Sequence, residues 1–193
     1  TEYLHAMITA TQEKIIPAPG RHGMVYVDTV IVAHSNEAEW QKFKADHTNE
    51  AILDRIVVVK VPYNLRLSEE VKIYQKLLRH SALSNSPCAP GTLDMMAQFS
   101  VLSRLKEPEN SSIYSKMRVY DGESLKDSDP HAKTIQEYRD AAGVTEGMDG
   151  GSTRFAYKIL SETFNFDTSE IAADPVHTLY VTEQAIRREQ MPE

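Results

Sequence analysis

Three polar residues stand where a phosphate could be sensed. Asn36 lies in the first polar turn after the β-branched run 29–33, Thr-Val-Ile-Val-Ala. Arg55 directly precedes a second apolar run, 56–61, Ile-Val-Val-Val-Lys-Val. Arg154 falls in the first turn of a helix that opens Gly151-Ser152-Thr153-Arg154. In open parallel α/β sheets, ligands sit just beyond the carboxyl ends of the strands, which is where the first run delivers Asn36. A cation in a first helical turn opposes the helix dipole at a cost of about a few tenths of a kcal/mol. A bound anion reverses that balance. Each residue also has an ordinary structural role. Asn36 can cap a helix, Arg55 can pair with Asp54 or Glu50, and Arg154 can pair with Asp149 or Glu162. Taken singly, these roles carry more weight than the functional ones.

Other chemistries find less support. No Gly-x-x-x-x-Gly-Lys-Ser/Thr loop occurs, and the glycine-rich stretch 143–151 lacks both the Lys and a preceding strand. There is no Gly-x-Ser-x-Gly elbow and no His-Glu-x-x-His pair. The single cysteine, Cys88, sits between two prolines with no partner motif, and the seven His are scattered without metal-ligand spacing. A formal net charge of −7 makes the surface as a whole a poor match for nucleic acid or an anionic membrane. No apolar run approaches the roughly 18–20 residues that a membrane span needs. One cysteine allows no internal disulfide, so a reducing, cytoplasmic setting is expected.

The elements that must position the three residues follow from pattern. Residues 1–10 read as the end of a helix, with Tyr3 or Leu4, Met7 and Ile8 on one face. A β-hairpin is expected across 11–27, around the turn cluster 17–20. The runs 29–33 and 56–61 then read as buried parallel strands flanking a helix capped by Ser35 or Asn36, with Trp40 and Phe43 facing inward. Beyond Pro62 the texture is helical. Helices are expected from Ser68, with Val71, Tyr74, Leu77 and Leu78 inward, and from Thr92, with Leu93, Met96, Ala97 and Ser100 inward. Further helices are expected over 113–120, over 131–142 with Gly143 as the stop, and from Ser152 with Phe155, Ile159, Leu160 and Phe164 inward. The last starts at Asp174-Pro175 and carries Val176, Leu179, Tyr180, Val181 and Ile186. Residues 106–142 read as an insertion with exposed Tyr114, Tyr120 and Tyr138.

Strand, Asn, acidic helix, Asp-Arg, strand, then a helical region with a late Ser-x-Arg resembles the second half of an AAA+ ATPase module. The opening is similar to the MoxR-like branch. More specifically, the segments TATQE, ILDRIVVVKVPY, SEEVKIYQKLLR, PCAPGTLDMMAQFSVLSRLKEPENSSIYSKMRVYDGE and GSTRFAYKILSETFNFD closely resemble the PrkA family of serine protein kinases with an AAA-type core. The resemblance implies an α/β piece of an AAA+ core over 1–62, followed by an all-α lid domain over 63–193, mainly helical overall. It implies Asn36 as the sensor-1 residue, Arg55 as the arginine finger offered to a neighbouring subunit, and Arg154 as the sensor-2 residue on the ATP phosphates.

ATP with Mg2+, a protein substrate and self-association into a ring are expected of the full-length protein, and no nucleic acid or membrane partner. Walker A and Walker B segments are expected upstream, so the chain reads as a fragment that is inactive alone. Two further outputs compete with phosphorylation: ATP-driven remodelling or proteolysis of a protein, and a non-catalytic helical interaction module docking through 106–142. No His-Arg-Asp or Asp-Phe-Gly kinase element appears in the chain.

Overall fold

The computed structural model describes residues 7, 9–18, 23–125, 127–166 and 172–189. The chain divides into two compact units, Thr1–Lys60 and Val61–Glu193. The expected helix face of Tyr3, Leu4 and Ile8 lies outside the described residues, and residues 9–12 are helical.

In the first unit β1 (Ile15–Pro17) and β2 (Met24–Tyr26) form the expected antiparallel hairpin, with Ile15 opposite Tyr26 and Pro17 opposite Met24. The Val27 amide donates to the Lys14 carbonyl at 2.7 Å and extends the pairing. Helix α1 (Glu37–Ala45) is capped by Asn36 and carries Glu37 and Glu39 in its first turn, complementing the helix dipole. It buries no residue, and its Trp40 and Phe43 stack on each other with ring centroids 5.8 Å apart. A 3-10 turn (His47–Asn49) and the short α2 (Glu50–Leu53) follow.

The two expected buried strands do not form. Residues 27–36 and 56–66 carry no ladder, and Val30, Val32 and Val57 are 89%, 91% and 88% exposed. A parallel strand exists only through its neighbours, and β1 with β2 is the only sheet among the described residues. The sequence pattern records a demand for burial that these residues do not meet among themselves.

The second unit is helical, and its core runs along α4. Helix α3 (Leu67–Arg79) turns Tyr74 and Leu78 inward and leaves Leu77 exposed. Helix α4 (Thr92–Arg104) buries Met96, Ala97, Ser100, Val101 and Arg104. Its N-cap is Gly91 at φ 85°, not Thr92. Thr92 instead takes the first helical position, and its hydroxyl donates to the carbonyls of Ala89 at 2.8 Å and Ala173 at 3.3 Å. Helix α5 (Ile113–Tyr120) forms where expected. Helix α6 (Ile135–Ala142) begins four residues later than the pattern suggested, because Thr134 and Glu137 close a reciprocal capping box there. Gly143 stops it as expected.

Helix α7 (Thr153–Phe164) buries Phe155, Ile159 and Leu160, each contributing roughly 1.5–3 kcal/mol of hydrophobic stabilisation. Phe164 is only partly buried. Helix α8 (Pro175–Glu189) is entered through Asp174, which accepts from the amides of Val176 and His177. Its inward face is Thr178, Val181, Thr182 and Ala185. Val176, Leu179 and Tyr180 face solvent, contrary to the expected stripe. Small side chains allow close approach to α4 and α7, and both threonine hydroxyls are satisfied within the helix, on Asp174 and Thr178 carbonyls.

Candidate functional site

The three nominated residues differ in how firmly they are held. Asn36 accepts a hydrogen bond from the Glu39 amide at 2.7 Å through its side-chain oxygen and is exposed. Capping occupies that oxygen, and among the described residues the side-chain nitrogen makes no hydrogen bond. Arg55 is exposed in the turn after α2, and its Nη1 donates to the Ala51 carbonyl rather than to Asp54 or Glu50. Both belong to the first unit, whereas Arg154 belongs to the second.

Arg154 is the second residue of α7, behind a helix start set by Ser152, whose hydroxyl oxygen accepts from the Phe155 amide at 3.1 Å. The first turn holds no acidic residue. Glu162, one expected partner, is engaged by Arg188 at 3.0 Å. Among the described residues Arg154 has no ion-pair partner, and it is exposed. It is a guanidinium at the positive end of a helix whose first turn carries no acidic residue.

What holds this helix start in place escaped the sequence reading. Arg104, at the end of α4, is fully buried against Glu70 of α3, Nη2 to Oε1 at 2.8 Å. Its Nε donates to the Gly151 carbonyl at 2.8 Å and its Nη1 to the Asn64 carbonyl at 2.7 Å. Asn64 in turn donates to the other Glu70 oxygen at 3.0 Å. The Tyr63 ring lies over the guanidinium, 5.1 Å from centroid to Cζ. Burial pushes the Glu70 carboxyl up, but the hydrogen bonds from Arg104 and Asn64 outweigh it and hold the group below the usual glutamate value. The signal was present. Glu70 stands four residues before buried Tyr74, and Arg104 three after buried Val101, so each charge sits on an inward helix face.

A second buried network stitches the loop after α6. Lys116 meets the Glu146 carboxylate and donates to the Lys106 carbonyl at 2.8 Å. Tyr120 donates to Glu146 at 2.6 Å. Burial, and then this hydrogen bond, push the Tyr120 phenol well above its usual range. Tyr138 shares a hydrogen bond with Ser111 at 2.5 Å. Tyr120 and Tyr138 are therefore core residues rather than the exposed docking tyrosines expected, and only Tyr114 faces solvent. A cleft of about 820 Å³ opens beside them, walled in part by Tyr63, Arg66, Ile135 and Arg139. Arg154 does not line it.

Among the described residues no group of three His, Cys, Asp or Glu could hold a metal ion, and no helix is long and apolar enough to cross a membrane. Residues 1–112 match the family model described as PrkA AAA domain. Residues 114–193 match that of the PrkA serine protein kinase C-terminal domain. Asn36 and Arg55 thus fall in the first match and Arg154 in the second. The chain is 63% identical over 190 residues to the serine/threonine kinase YeaG of Escherichia coli (strain K12), covering 98% of this chain and 30% of that protein. It is 41% identical over 166 residues to the ATP-dependent protease PrkA of Bacillus subtilis (strain 168), covering 84% of this chain and 25% of that protein. The chain therefore spans less than a third of the length of these relatives. No solved structure matches it.

Proposed function

This chain belongs to the PrkA family, and from that premise we propose that it is the sensing part of an AAA+ module in an ATP-dependent serine/threonine protein kinase. The observation that carries the reading is Arg154, exposed in the first turn of α7 with no acidic neighbour in that turn and no ion-pair partner among the described residues. Such a site fits the phosphates of ATP, because helix N-terminus and guanidinium both favour an anion. Asn36 serves as sensor 1, its side-chain nitrogen orienting the attacking group near the γ-phosphate. Arg55 serves as the arginine finger toward the nucleotide of a neighbouring copy, which requires a ring. Its role is to stabilise charge on the transferring phosphoryl group. The Walker segments and Mg2+ belong to the complete nucleotide site, and the substrate is a protein in a cytoplasmic setting.

A second output, ATP-driven proteolysis or remodelling, is favoured by the name of the Bacillus subtilis relative. The third, a docking module built on residues 106–142, loses two of its three tyrosines to the core.

Following the γ-phosphate of labelled ATP with the full-length protein separates the first two. Label appearing on serine or threonine of a protein supports the kinase. Release as free phosphate, with loss of a protein substrate, supports the protease. In the same protein Arg55→Ala is expected to abolish turnover while nucleotide binding persists, and undiminished turnover rejects the finger.

A further inference from the structure

We infer that Arg104 is the positioning residue for Arg154, tying the start of α7 to the peptide at 63–64 through one buried guanidinium. This rests on the reading of Arg154 as a phosphate-sensing residue and adds how its place is set. The three guanidinium nitrogens of Arg104 serve three separate segments: Nε the Gly151 carbonyl, Nη1 the Asn64 carbonyl and Nη2 the Glu70 carboxylate. Gly151 is three residues before Arg154. The neighbouring contacts run in the same direction. The Gly151 amide donates to Ser103 Oγ at 2.9 Å, the Gly147 amide to the Arg104 carbonyl at 3.2 Å, and the Tyr63 amide to the Gly147 carbonyl at 2.8 Å. At Gly150, φ is 100°, and a Cβ would come within 2.3 Å of the Ser103 carbonyl. The loop before α7 therefore follows the end of α4 closely, with no room to slide.

A buried ion pair needed only for stability would be served by any two-point contact. Here the fork is divided between a carboxylate and two backbone carbonyls from opposite sides of the second unit's sequence. Only Arg has the geometry for this. One side chain thus fixes the Asn64 peptide and the Gly151 peptide relative to each other, and with the latter the α7 start. Lys at position 104 would keep the charge on Glu70 but could not serve both carbonyls.

The test is a double-mutant cycle in the full-length protein. Arg104→Lys, Arg154→Ala and the double variant are compared for ATP KM and kcat, affinity for a fluorescent ATP analogue, and thermal midpoint. The expected result is that Arg104→Lys raises the ATP KM or the analogue's dissociation constant in the same direction as Arg154→Ala. The effect of Arg154→Ala should also shrink by at least about threefold in the Arg104→Lys background, the size expected of groups acting through one network. Where Arg104→Lys fails to fold, the pair Arg104→Met with Glu70→Leu, which removes the fork without orphaning a charge, serves as the background. A purely structural role would lower the active fraction, hence kcat with KM unchanged, and leave the two effects additive. That result overturns the inference while the sensor reading stands. An Arg154→Ala variant with unchanged kcat, KM and analogue affinity overturns both.

Discussion

Arg104 Nη2 meets Glu70 Oε1 at 2.8 Å with neither side chain exposed to solvent at all. Two charges without water are stable only while each has the other, so the relationship is asymmetric to mutation. Arg104→Met alone, or Glu70→Leu alone, is expected to cost roughly 3–5 kcal/mol, whereas replacing both is expected to cost much less. Denaturant unfolding of the 193-residue chain and its variants measures this. A double variant as unstable as the sum of the singles would contradict it.

The same carboxylate makes stability depend on acid. Its folded value lies below the ordinary 4.5, so the proton binds more readily to the unfolded chain. The contribution of Glu70 is therefore fully present above pH 4.5 and is lost as pH falls through the depressed folded value. Unfolding midpoints of the parent chain and of Glu70→Gln should differ most near neutrality and converge as pH drops below 4.5. A gap that widens in acid would reverse the assignment.

Asn36 offers a way to separate capping from catalysis. Asn36→Ala removes the acceptor for the Glu39 amide and should cost about 1 kcal/mol, while Asn36→Ser retains a capping oxygen and should cost little. In the full-length protein both should lose ATP turnover if the side-chain nitrogen acts on the attacking group. Turnover kept by the Ser variant but not by the Ala variant would leave Asn36 a cap only.

Gly150 lies closer to neighbouring backbone than the other described glycines of the second unit. Gly150→Ala combines a strained positive φ with a clash on the Ser103 carbonyl, and should cost about 1–3 kcal/mol or more. That corresponds to a fall of several degrees in thermal midpoint, at roughly 2–4 °C per kcal/mol for a chain of this size. Val144→Ala, on a side chain 87% exposed, is the control and should change stability by no more than about 0.5 kcal/mol.

Local signals were the legible part. The hairpin, the 113–120 helix, the Ser152 cap, the Asp174-Pro175 helix entry and the Gly143 stop are each specified within a few residues, and each forms. Non-local demands were not. The runs 29–33 and 56–61 have the composition of strands, yet a strand is a relation between segments, and no partner stands beside them among the described residues. Tyr120 and Tyr138 looked exposed because a hydroxyl in a polar stretch gives no hint that Glu146 and Ser111 will satisfy it. The α8 stripe departs from the apolar periodicity because Thr178 and Thr182, polar by type, bond to the carbonyls four residues before them and turn inward. Of the candidate site, the three nominated side chains were visible by type. The buried fork of Arg104 was not, because its partners come from 34 to 47 residues away.

The bare Val30-Ile31-Val32 and Val57-Val58-Val59 runs have a practical consequence. β-branched, exposed and without charge in their centres, they join no sheet among the described residues. Such segments recruit one another between molecules as readily as within one. A solution of this chain by itself should scatter light increasingly with concentration and time, and a lysine placed at Val32 or Val57 should delay that onset without disturbing the helices of the second unit.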